Sequence, residues 1–475
     1  MKPTSAAFKE QATRALDDSD LQTALGRMRT HYVGSITSAR ERLPEFEALR
    51  DAARDIKNHT LAHLDLYLEE LERKVTEAGG YVHWATTAAE ARTLIETICR
   101  RANARTVTKG KSMISEEIAL NAHLEKAGFK VVETDLGEYL IQIRNEPPSH
   151  IIGPAVHLTR AQIEADFRRH HKHLPAGRNI TEPVALVDEA RQVLRQQFIT
   201  ADVGITGANF LIAETGTTVI VTNEGNGDLT QILPRIHIVL ATIEKVVPTL
   251  EDVSTILRVL ARSATGQEIS NYTTFSTGPR RSGDPDGPTE YHLVLLDGGR
   301  TEILASEFRE ALRCIRCGAC MDHCPVYHAV GGHAYGWVYP GPIGAVMTPA
   351  LIGIQQARHL PSASSFCGRC EDVCPMRIPL PKMLRYWREH DHALARRSDL
   401  SQRALRLWAW LAQRPAAYHR ASRVGLGLMR LVSGPRGLPH WLPFTKGWTR
   451  HRDFPAPEKG GTFHAQWAKR GRRTS

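Results

Sequence analysis

The sequence of 475 residues contains no apolar run of the roughly 18 residues that a membrane-spanning helix needs. Its first residues, MKPTSAAFKEQATRALDD, include no hydrophobic stretch of the kind that a secretory signal contains, so we expect a cytoplasmic protein. Cysteine is scarce outside one segment, since seven of the eight cysteines lie between Cys314 and Cys374. Such clustering in a chain without a signal favours metal ligation over a disulfide framework.

The eighth cysteine, Cys99, lies in TTAAEARTLIETICRRAN, far from the others. Thr87 and Glu90 have the spacing of a capping box, and apolar residues recur behind them at helical intervals. We therefore predict that Cys99 is a buried packing thiol on a helix rather than a redox group.

Acidic residues are scarce in the last hundred positions. From Met376 onward the chain carries 21 Lys and Arg against 5 Asp and Glu, whereas residues 1–375 carry 40 against 46. The net charge of +10 thus comes from a basic tail attached to a mildly acidic body. Six of the eight tryptophans also follow Met376: Trp387, Trp408, Trp410, Trp441, Trp448 and Trp467.

Four interpretations of this tail are open. It could bind nucleic acid through phosphate contacts and stacking, lie on an anionic membrane surface through an amphipathic helix around residues 402–413, dock on an acidic partner, or simply pack on the cysteine-bearing region. Because redox proteins must approach their partners, we favour partner docking or peripheral membrane contact among the active roles. We expect no nucleic-acid binding.

Four regions follow one another along the chain: a helical lead-in (1–78) expected to pack on the next domain, an α/β domain (79–300), a cysteine-rich domain (301–398) entered by a helix near residues 305–313, and the basic tail (399–475). The α/β pattern predicts a largely parallel sheet covered on both faces, with a long mobile loop at residues 276–290. The strand candidates are YVHWA, RTVT, FKVVET, EYLIQI, DVGIT, TVIVT and YHLVLL. The helix candidates are EARTLIETICRRA, SEEIALNAHLEKAG, PVALVDEARQVLRQQF and LEDVSTILRVLARSA.

The cysteines form one complete and one incomplete cluster motif. The first is C-x2-C-x2-C-x3-C-P, and the second has only its last three cysteines, with Ser364 at the first position. In such motifs the fourth cysteine ligates the other cluster. We therefore assign Cys314, Cys317, Cys320 and Cys374 to cluster 1, and Cys324, Cys367 and Cys370 to cluster 2. Zinc also uses C-x2-C pairs, but it requires neither this run nor a second partial copy ending in Cys-Pro, so iron–sulfur clusters are favoured.

Cluster 2 lacks a thiolate in this assignment, and three explanations are open. Ser364 or Ser365 could supply an alkoxide, the site could hold three irons, or one iron could stay open to water, a partner's group or a histidine. The histidines near enough in sequence are His323, His328 and His333.

The α/β domain has two candidate ligand segments. TKGKSMISEEIAL offers Lys109, Lys111 and Ser112 before a helix, but Arg105 stands where a Walker motif needs glycine, so an anion such as a carboxylate is a better candidate than ATP. GITGANFLIAETGTTVIVTNEGNGDL offers Glu214, Thr215 and Glu224 at strand ends without a G-x-G-x-x-G fingerprint. We predict a binding pocket here and no catalytic residue.

These segments together, with ETDLGEYLIQI, CIRCGACMDHCPVYHAVGGHAYG, YPGPIGAV and SSFCGRCEDVCP, resemble the family of lactate-utilization iron–sulfur proteins, the B component of a three-part bacterial L-lactate oxidation system. The resemblance implies a three-layer LUD-type α/β domain, with a sheet related to sugar-phosphate isomerases and CoA transferases, followed by an α-helical ferredoxin-type module with two [4Fe–4S] clusters. It also implies two partners, a cysteine-rich redox subunit and a second LUD-domain subunit.

We therefore expect an electron-transfer subunit in the oxidation of L-lactate to pyruvate. Iron–sulfur cubes change by one electron whereas a 2-hydroxy acid gives up two, so two clusters suit passing them singly. The alternative is an enzyme that uses the under-ligated cluster as a Lewis acid on a 2-hydroxy acid, as in a dehydratase.

Overall fold

The computed structural model describes residues 3–394, 400–432, 449 and 461–471. The chain divides into two compact units, residues 1–392 and residues 393–475. The first unit contains both the α/β domain and all seven clustered cysteines. In the second unit, the described part forms helices at Leu400–Ala412, Pro415–Val432 and Phe463–Gly471.

Two sheets form the α/β domain. The larger has six parallel strands in the order β1-β10-β7-β4-β2-β3, and the smaller has four strands in the order β8-β5-β6-β9. The strands are β1 Tyr81–Ala85, β2 Thr106–Gly110, β3 Lys130–Glu133, β4 Val203–Thr206, β5 Phe210–Ile212, β6 Thr217–Thr222, β7 Ile236–Thr242, β8 Val246–Val247, β9 Tyr272–Ser276 and β10 Glu290–Leu296.

Helices cover the sheet and build the cysteine-rich region. They are α1 Phe8–Asp17, α2 Ser19–Glu41, α3 Phe46–Ala62, α4 Leu64–Glu77, α5 Ala88–Arg101, α6 Met113–Glu117, α7 Leu120–Lys126, α8 Leu136–Arg144, α9 Arg160–His170, α10 Pro183–Ile199, α11 Asn226–Ile232, α12 Leu250–Ala264, α13 Arg300–Leu304, α14 Ala319–Asp322, α15 Pro325–Val330, α16 Gly341–Ile352, α17 Ile354–Ala357, α18 Arg369–Asp372 and α19 Leu380–Leu394. Short 3-10 helices lie at Ser5–Ala7, Ile243–Lys245, Arg309–Arg313, His333–Tyr335 and Leu360–Ser362.

The predicted α/β domain with a mostly parallel sheet is confirmed, and six of the seven strand candidates are strands. The capping box of Thr87 and Glu90 is present at the start of α5, and Cys99 is buried within that helix. EYLIQI is wrong as a strand because it lies in α8, where the Asp135 carboxylate accepts a hydrogen bond from Gly137 N at 2.9 Å and so caps the helix. The helix candidate SEEIALNAHLEKAG is broken into α6 and α7 at Ala119, which has φ of +53°.

The central strand β7, fully buried along its length, was not among the predicted strands. A continuous apolar run of this length cannot be distinguished from a buried helix by periodicity alone. The helix expected near residues 305–313 is instead α13 followed, after a break, by the 3-10 helix Arg309–Arg313. The segment at residues 276–290 connects β9 to β10, and Arg280 N donates to Pro288 O across it at 2.8 Å.

The N-terminal helices do not pack only on the α/β domain that follows them. The Ser5 hydroxyl donates to Tyr335 O at 2.8 Å, and the Phe8 ring meets the Tyr335 ring edge-on at 5.4 Å. Gln22 in α2 donates to Ala329 O at 2.9 Å. The lead-in therefore also forms part of the wall around the cysteine-rich region, more than 300 residues away in sequence.

Candidate metal centre and adjoining cavity

The two cysteine motifs have matching backbone conformations. Gly318 and Gly368, each directly after a cysteine, have φ of +78° and +81°, and each begins a four-residue helix. Arg316 and Phe366, each directly before that cysteine, also have positive φ, 60° and 54°. Because non-glycine residues rarely adopt this conformation, its occurrence at both positions shows that the loops wrap in the same way.

The thiols fall into a group of four and a group of three. Burial raises the pKa of Cys317, and its strongest charged neighbours are Cys374 and Cys314. Burial also raises the pKa of Cys320, and its strongest charged neighbours are Cys314 and Cys317. The structure therefore brings Cys374, from the second motif, to the first three cysteines of the first motif.

In the second group, burial raises the pKa of Cys370 to about 12, followed by the effects of Cys324 and Cys367. Cys324 likewise has Cys367 as its charged neighbour. The groups are close together, because Cys370 also acts on Cys320. All the thiols except Cys314 and Cys367 are buried, and Cys367 is exposed.

Donors and cations surround the group of four, as expected around an anionic cluster. Backbone N–H groups of Arg316 and Ile378 donate to the sulfurs of Cys314 and Cys374 at 3.4 and 3.5 Å. Arg50 of α3, buried to 3 % exposure, donates to the carbonyl of Cys374 at 2.7 Å. Buried thiols with amide donors and nearby cations fit an iron–sulfur cluster, whose potential depends on these same features.

The candidates for the missing ligand are placed differently. A small cavity at Cys324, Cys367 and Cys370 is also lined by Ser364, Ser365 and His323. Ser364 Oγ accepts from Phe366 N at 3.1 Å, and Ser365 is exposed. His323 Nδ1 donates to Ala319 O at 2.9 Å, and its buried Nε2 has no hydrogen-bond partner among the described residues.

The other two histidines lie outside this cavity. His328 Nε2 donates to Asp322 O at 2.6 Å. His333 Nε2 donates to Pro147 O at 2.8 Å, and its ring lies 4.4 Å from that of His157, beside Glu146. Of the three histidines predicted as candidates, His323 is therefore the one that the fold brings to the group of three thiols.

A larger cavity of about 960 Å³ lies at the carboxyl ends of β2, β3, β4 and β7, where ligands collect in parallel sheets. Three of the predicted pocket residues line it: Lys111, Ser112 and Glu224. Close backbone approach shapes this edge, since a Cβ on Gly207 after β4 would lie 2.6 Å from Lys111 O. Arg316 and Tyr339 of the cysteine-rich region also line the cavity, which therefore lies between the sheet edge and the first cysteine loop.

Part of the cavity lining contains three carboxyl groups, those of Asp135, Glu138 and Glu224, near Lys111. Lys111, at φ of +56°, donates to Asp135 and to Glu224 Oε2, the latter at 3.0 Å. Burial opposes the Asp135 anion, but a hydrogen bond from Glu138 and the charge of Lys111 outweigh it and lower the pKa of Asp135. Burial and Asp135 raise the pKa of Glu138 well above its usual range. The pKa values of these two carboxyl groups are therefore moved in opposite directions.

Another part of the lining is basic and contains Lys245 and Arg316. Burial lowers the pKa of Lys245 to about 8, with Arg316 adding to the effect. The Arg316 guanidinium lies 4.4 Å from the centre of the Tyr339 ring, and Tyr339 donates to Glu117 Oε2 at 2.5 Å. Glu117 is in turn held by both Nη atoms of the fully buried Arg300 at 2.6 Å. This network joins the α/β domain to the first cysteine loop.

Three of the predicted pocket residues lie elsewhere. Lys109 is 1 % exposed, and its Nζ is enclosed by Glu133 at 2.7 Å, Glu116 at 2.9 Å and the Ser115 hydroxyl at 2.5 Å, so it is a structural ion-pair residue. Glu214 and Thr215 lie in the β5–β6 turn: Glu214 accepts from Leu250 N at 2.7 Å, and Thr215 donates to Thr217.

Among the cavity residues that sequence reasoning missed are Asp135, Glu138, Lys245 and Arg316. Asp135 follows the predicted strand FKVVET, so its place at a strand end was a usable signal. Lys245 follows the missed strand β7, and Arg316 lies inside the cysteine motif, where spacing of thiols alone draws attention.

The tryptophans that follow Met376 have different environments. Trp387 belongs to the core of the first unit, where its Nε1 donates to Val346 O at 3.0 Å and its ring stacks on Phe308 at 4.2 Å. Trp408, Trp410 and Trp467 are exposed, and Trp441 and Trp448 lie outside the described residues. Among the described residues no helix is long and apolar enough to cross a membrane.

Family matches follow the order of these parts. Residues 68–296 match the LUD domain, residues 310–378 match the 4Fe-4S dicluster domain, and residues 387–472 match the C-terminal region of lactate utilisation protein B. The fold and the site thus define an iron–sulfur protein in which a LUD domain precedes a 4Fe-4S module.

Curated relatives extend over the whole length. The chain is 42 % identical to lactate utilization protein B of Shouchella clausii, covering 97 % of this chain and 96 % of that protein. It is 42 % identical to the protein of the same name from Oceanobacillus iheyensis (98 % and 97 % covered), and 40 % identical to the uncharacterized electron transport protein YkgF of Escherichia coli (99 % and 98 % covered). The chain belongs to the lactate utilization protein B family, which confirms the resemblance.

A solved structure of a DUF162 family protein from Deinococcus radiodurans is also similar, with a TM-score of 0.28 and 17 % identity, covering 49 % of this chain and 98 % of that one.

Proposed function

We propose that the protein carries electrons singly through two [4Fe–4S] clusters during the oxidation of L-lactate to pyruvate. Its relatives are named for lactate utilization and for electron transport. Each cube changes by one electron, so two cubes in one chain divide the two electrons of a 2-hydroxy acid.

The observation that carries this proposal is the grouping of the thiols. Cys314, Cys317, Cys320 and Cys374 would hold cluster 1, and Cys324, Cys367 and Cys370 would hold cluster 2, with the motifs exchanging their last cysteines. Each cluster would supply one-electron redox chemistry, while the chain's own residues orient the thiolates and exclude water from most of them.

Burial indicates which cluster a redox partner can approach. Most thiols of the group of four are buried, whereas Cys367 in the group of three is exposed next to Phe366, a ring that is 39 % exposed and covered by Arg388 at 4.1 Å. A redox partner would therefore exchange electrons at cluster 2. The acceptors that we propose are partners of the same system, a cysteine-rich redox subunit and a second LUD-domain subunit, with peripheral membrane contact through the basic tail as a further expectation.

The grouping is tested with Cys374→Ala and Cys324→Ala, with Cys99→Ala as the matched control. Anaerobically purified wild type should contain about eight irons per chain, as should the control. If the motifs exchange cysteines, Cys374→Ala leaves cluster 1 with three thiolates and should retain about seven irons with an oxidised three-iron EPR signal. Cys324→Ala leaves cluster 2 with only two thiolates and should retain fewer irons than Cys374→Ala.

The reverse order of iron content would show that each motif holds its own cluster. About four irons in wild type would refute two clusters. Electron passage is measured separately, as reoxidation of the dithionite-reduced protein by the purified partner subunits. A wild type with both clusters that is not reoxidised by them would refute the carrier role.

A further inference from the structure

Two cations that line the large cavity have side-chain donors without a hydrogen-bond acceptor. Lys245 Nζ lines the cavity and forms no hydrogen bond or ion pair within the part of the chain that the structure describes. Arg316 Nη1 is buried without a partner, and its Nη2 lies 3.5 Å from Glu244 Oε1. Buried cations are normally paired, so these groups indicate a site for a negatively charged ligand.

The anions nearby leave donors of both cations unbonded. Glu117 is taken by the two Nη atoms of Arg300, each at 2.6 Å. Glu244 is shared by Lys245, Arg316 and Arg300, whose Nε lies 3.7 Å from it. Cys314 is a charged neighbour of both cations, but among the described residues no hydrogen bond joins its sulfur to either side chain. One carboxylate between Lys245 and Arg316 would accept from the donors that remain.

The rest of the cavity is suited to an apolar substituent. Apolar side chains from the sheet edge and from the segments around it line the wall, among them Ile151, Val156, Leu194, Val221 and Leu229. The cavity of about 960 Å³ is much larger than a three-carbon acid, so a longer chain can also be enclosed. A ligand with one anionic end and an apolar body fits these surroundings.

We propose that this cavity binds a 2-hydroxy or 2-oxo monocarboxylate, with its carboxylate between Lys245 and Arg316. The choice of this class of acid rests on the proposed function, whereas the carboxylate site rests on the unbonded donors of these two cations. Arg316 lies between Cys314 and Cys317 in sequence, so a bound acid lies beside the loop of the group of four thiols.

The test is anaerobic calorimetry on the cluster-loaded protein with L-lactate, L-2-hydroxyhexanoate and inorganic phosphate as separate probes. Lys245→Met should weaken L-lactate binding at least tenfold, and Lys245→Arg should recover most of the affinity. Lys126→Met, at an exposed lysine of α7, is the matched control and should bind as wild type. The longer acid should bind more tightly than L-lactate because the apolar wall covers its chain.

Iron content and EPR of each variant establish that it is folded and loaded. Unchanged L-lactate affinity in Lys245→Met, or phosphate binding tighter than that of both acids, would overturn the assignment. A wild type that has two clusters and transfers electrons but binds neither acid refutes the cavity site alone. Acid binding in a protein with a single cluster would refute the two-cluster function and leave the cavity site standing.

A different observation answers the question of the fourth ligand. The Ala319 carbonyl can only accept, so His323 Nδ1 carries the proton and Nε2 of the neutral ring presents a lone pair. This Nε2 is buried without a partner, and the side chain lines the cavity of Cys324, Cys367 and Cys370. We infer that His323 Nε2 is the fourth ligand of cluster 2, an assignment that rests on the two-cluster proposal.

Pulsed EPR of the reduced protein labelled with ¹⁵N-histidine tests this ligand. Wild type, Ser364→Ala and the matched control His328→Ala should show a strongly coupled nitrogen, and His323→Ala should lose it together with about one iron. Absence of the coupling in wild type that contains both clusters, its persistence in His323→Ala, or loss of iron in Ser364→Ala instead would overturn the assignment.

Discussion

Replacing Lys109 tests whether this lysine stabilises the fold rather than binding a ligand. The Lys109 ammonium is 1 % exposed and contacts Glu133, which is 2 % exposed, at 2.7 Å. Burial opposes its charge, but Glu116 and Glu133 outweigh burial and raise the pKa of Lys109. Lys109→Met leaves the Glu133 charge buried and uncompensated, which should cost about 3–5 kcal/mol, as is typical when one partner of a buried ion pair is removed.

Native-state hydrogen exchange of the β2 and β3 amides measures this cost locally, without involving the clusters. The double variant Lys109→Met/Glu133→Gln should recover much of the loss, because Asn121 can still donate to the residue 133 side chain, as it does to Glu133 Oε1 at 2.6 Å. Lys111→Met, two residues away, should cost much less, since that side chain is 22 % exposed. A cost below about 1 kcal/mol for Lys109→Met, the range of exposed pairs, would refute the reasoning. Tenfold weaker acid binding by Lys109→Met, with unchanged stability, would also refute it.

Three further predictions concern other parts of the molecule. Arg50→Met should make the reduction potential of cluster 1 more negative, because a buried cation bonded to the Cys374 carbonyl favours the reduced cluster. Arg50→Lys should change the potential less. EPR-monitored redox titration measures both variants, and potentials equal to that of wild type would contradict this prediction. Burial lowers the pKa of His237 from 6.5 to about 3, so the unfolded state binds the proton first and stability falls as pH decreases below 6.5. At pH 5 His237 alone costs about 2 kcal/mol relative to pH 7, so the loss measured by urea unfolding should be smaller by about this amount in His237→Gln. Trp387→Ala should cost about 3–5 kcal/mol, measured by thermal unfolding of the first unit, whereas Trp467→Ala at an exposed ring should change little.

Local chemistry made much of the fold predictable. Thr87 and Glu90 satisfy each other's neighbouring amides whatever the surroundings, so their capping box was readable from four letters of sequence. The sequence EYLIQI could not be assigned to a strand or a helix in the same way, because its apolar residues fit both periodicities. The N-cap of Asp135 favours the helix.

The spacing of the cysteines alone predicted the cluster motifs, because a short loop with glycine at positive φ can wrap its thiols around one site. Which thiols lie together depends on contacts across the fold: Cys374 meets Cys314 and Cys317 while Arg50 of α3 holds its carbonyl. His323, His328 and His333 are equivalent candidates in sequence, and only packing directs one of them to the open cluster position.

The residues of the large cavity were likewise only partly predictable from the sequence. The amino-acid pattern alone predicted polar residues at the carboxyl ends of parallel strands, because parallel strands place these ends at the same edge of the sheet. It could not decide between Lys109 and Lys111, which differ only in the carboxylates that the fold brings to each. Lys245 and Arg316, 71 residues apart, meet only because β7 ends against the first cysteine loop. Tertiary structure therefore decided the charge balance of the site, since charges from distant segments act on one another only through space.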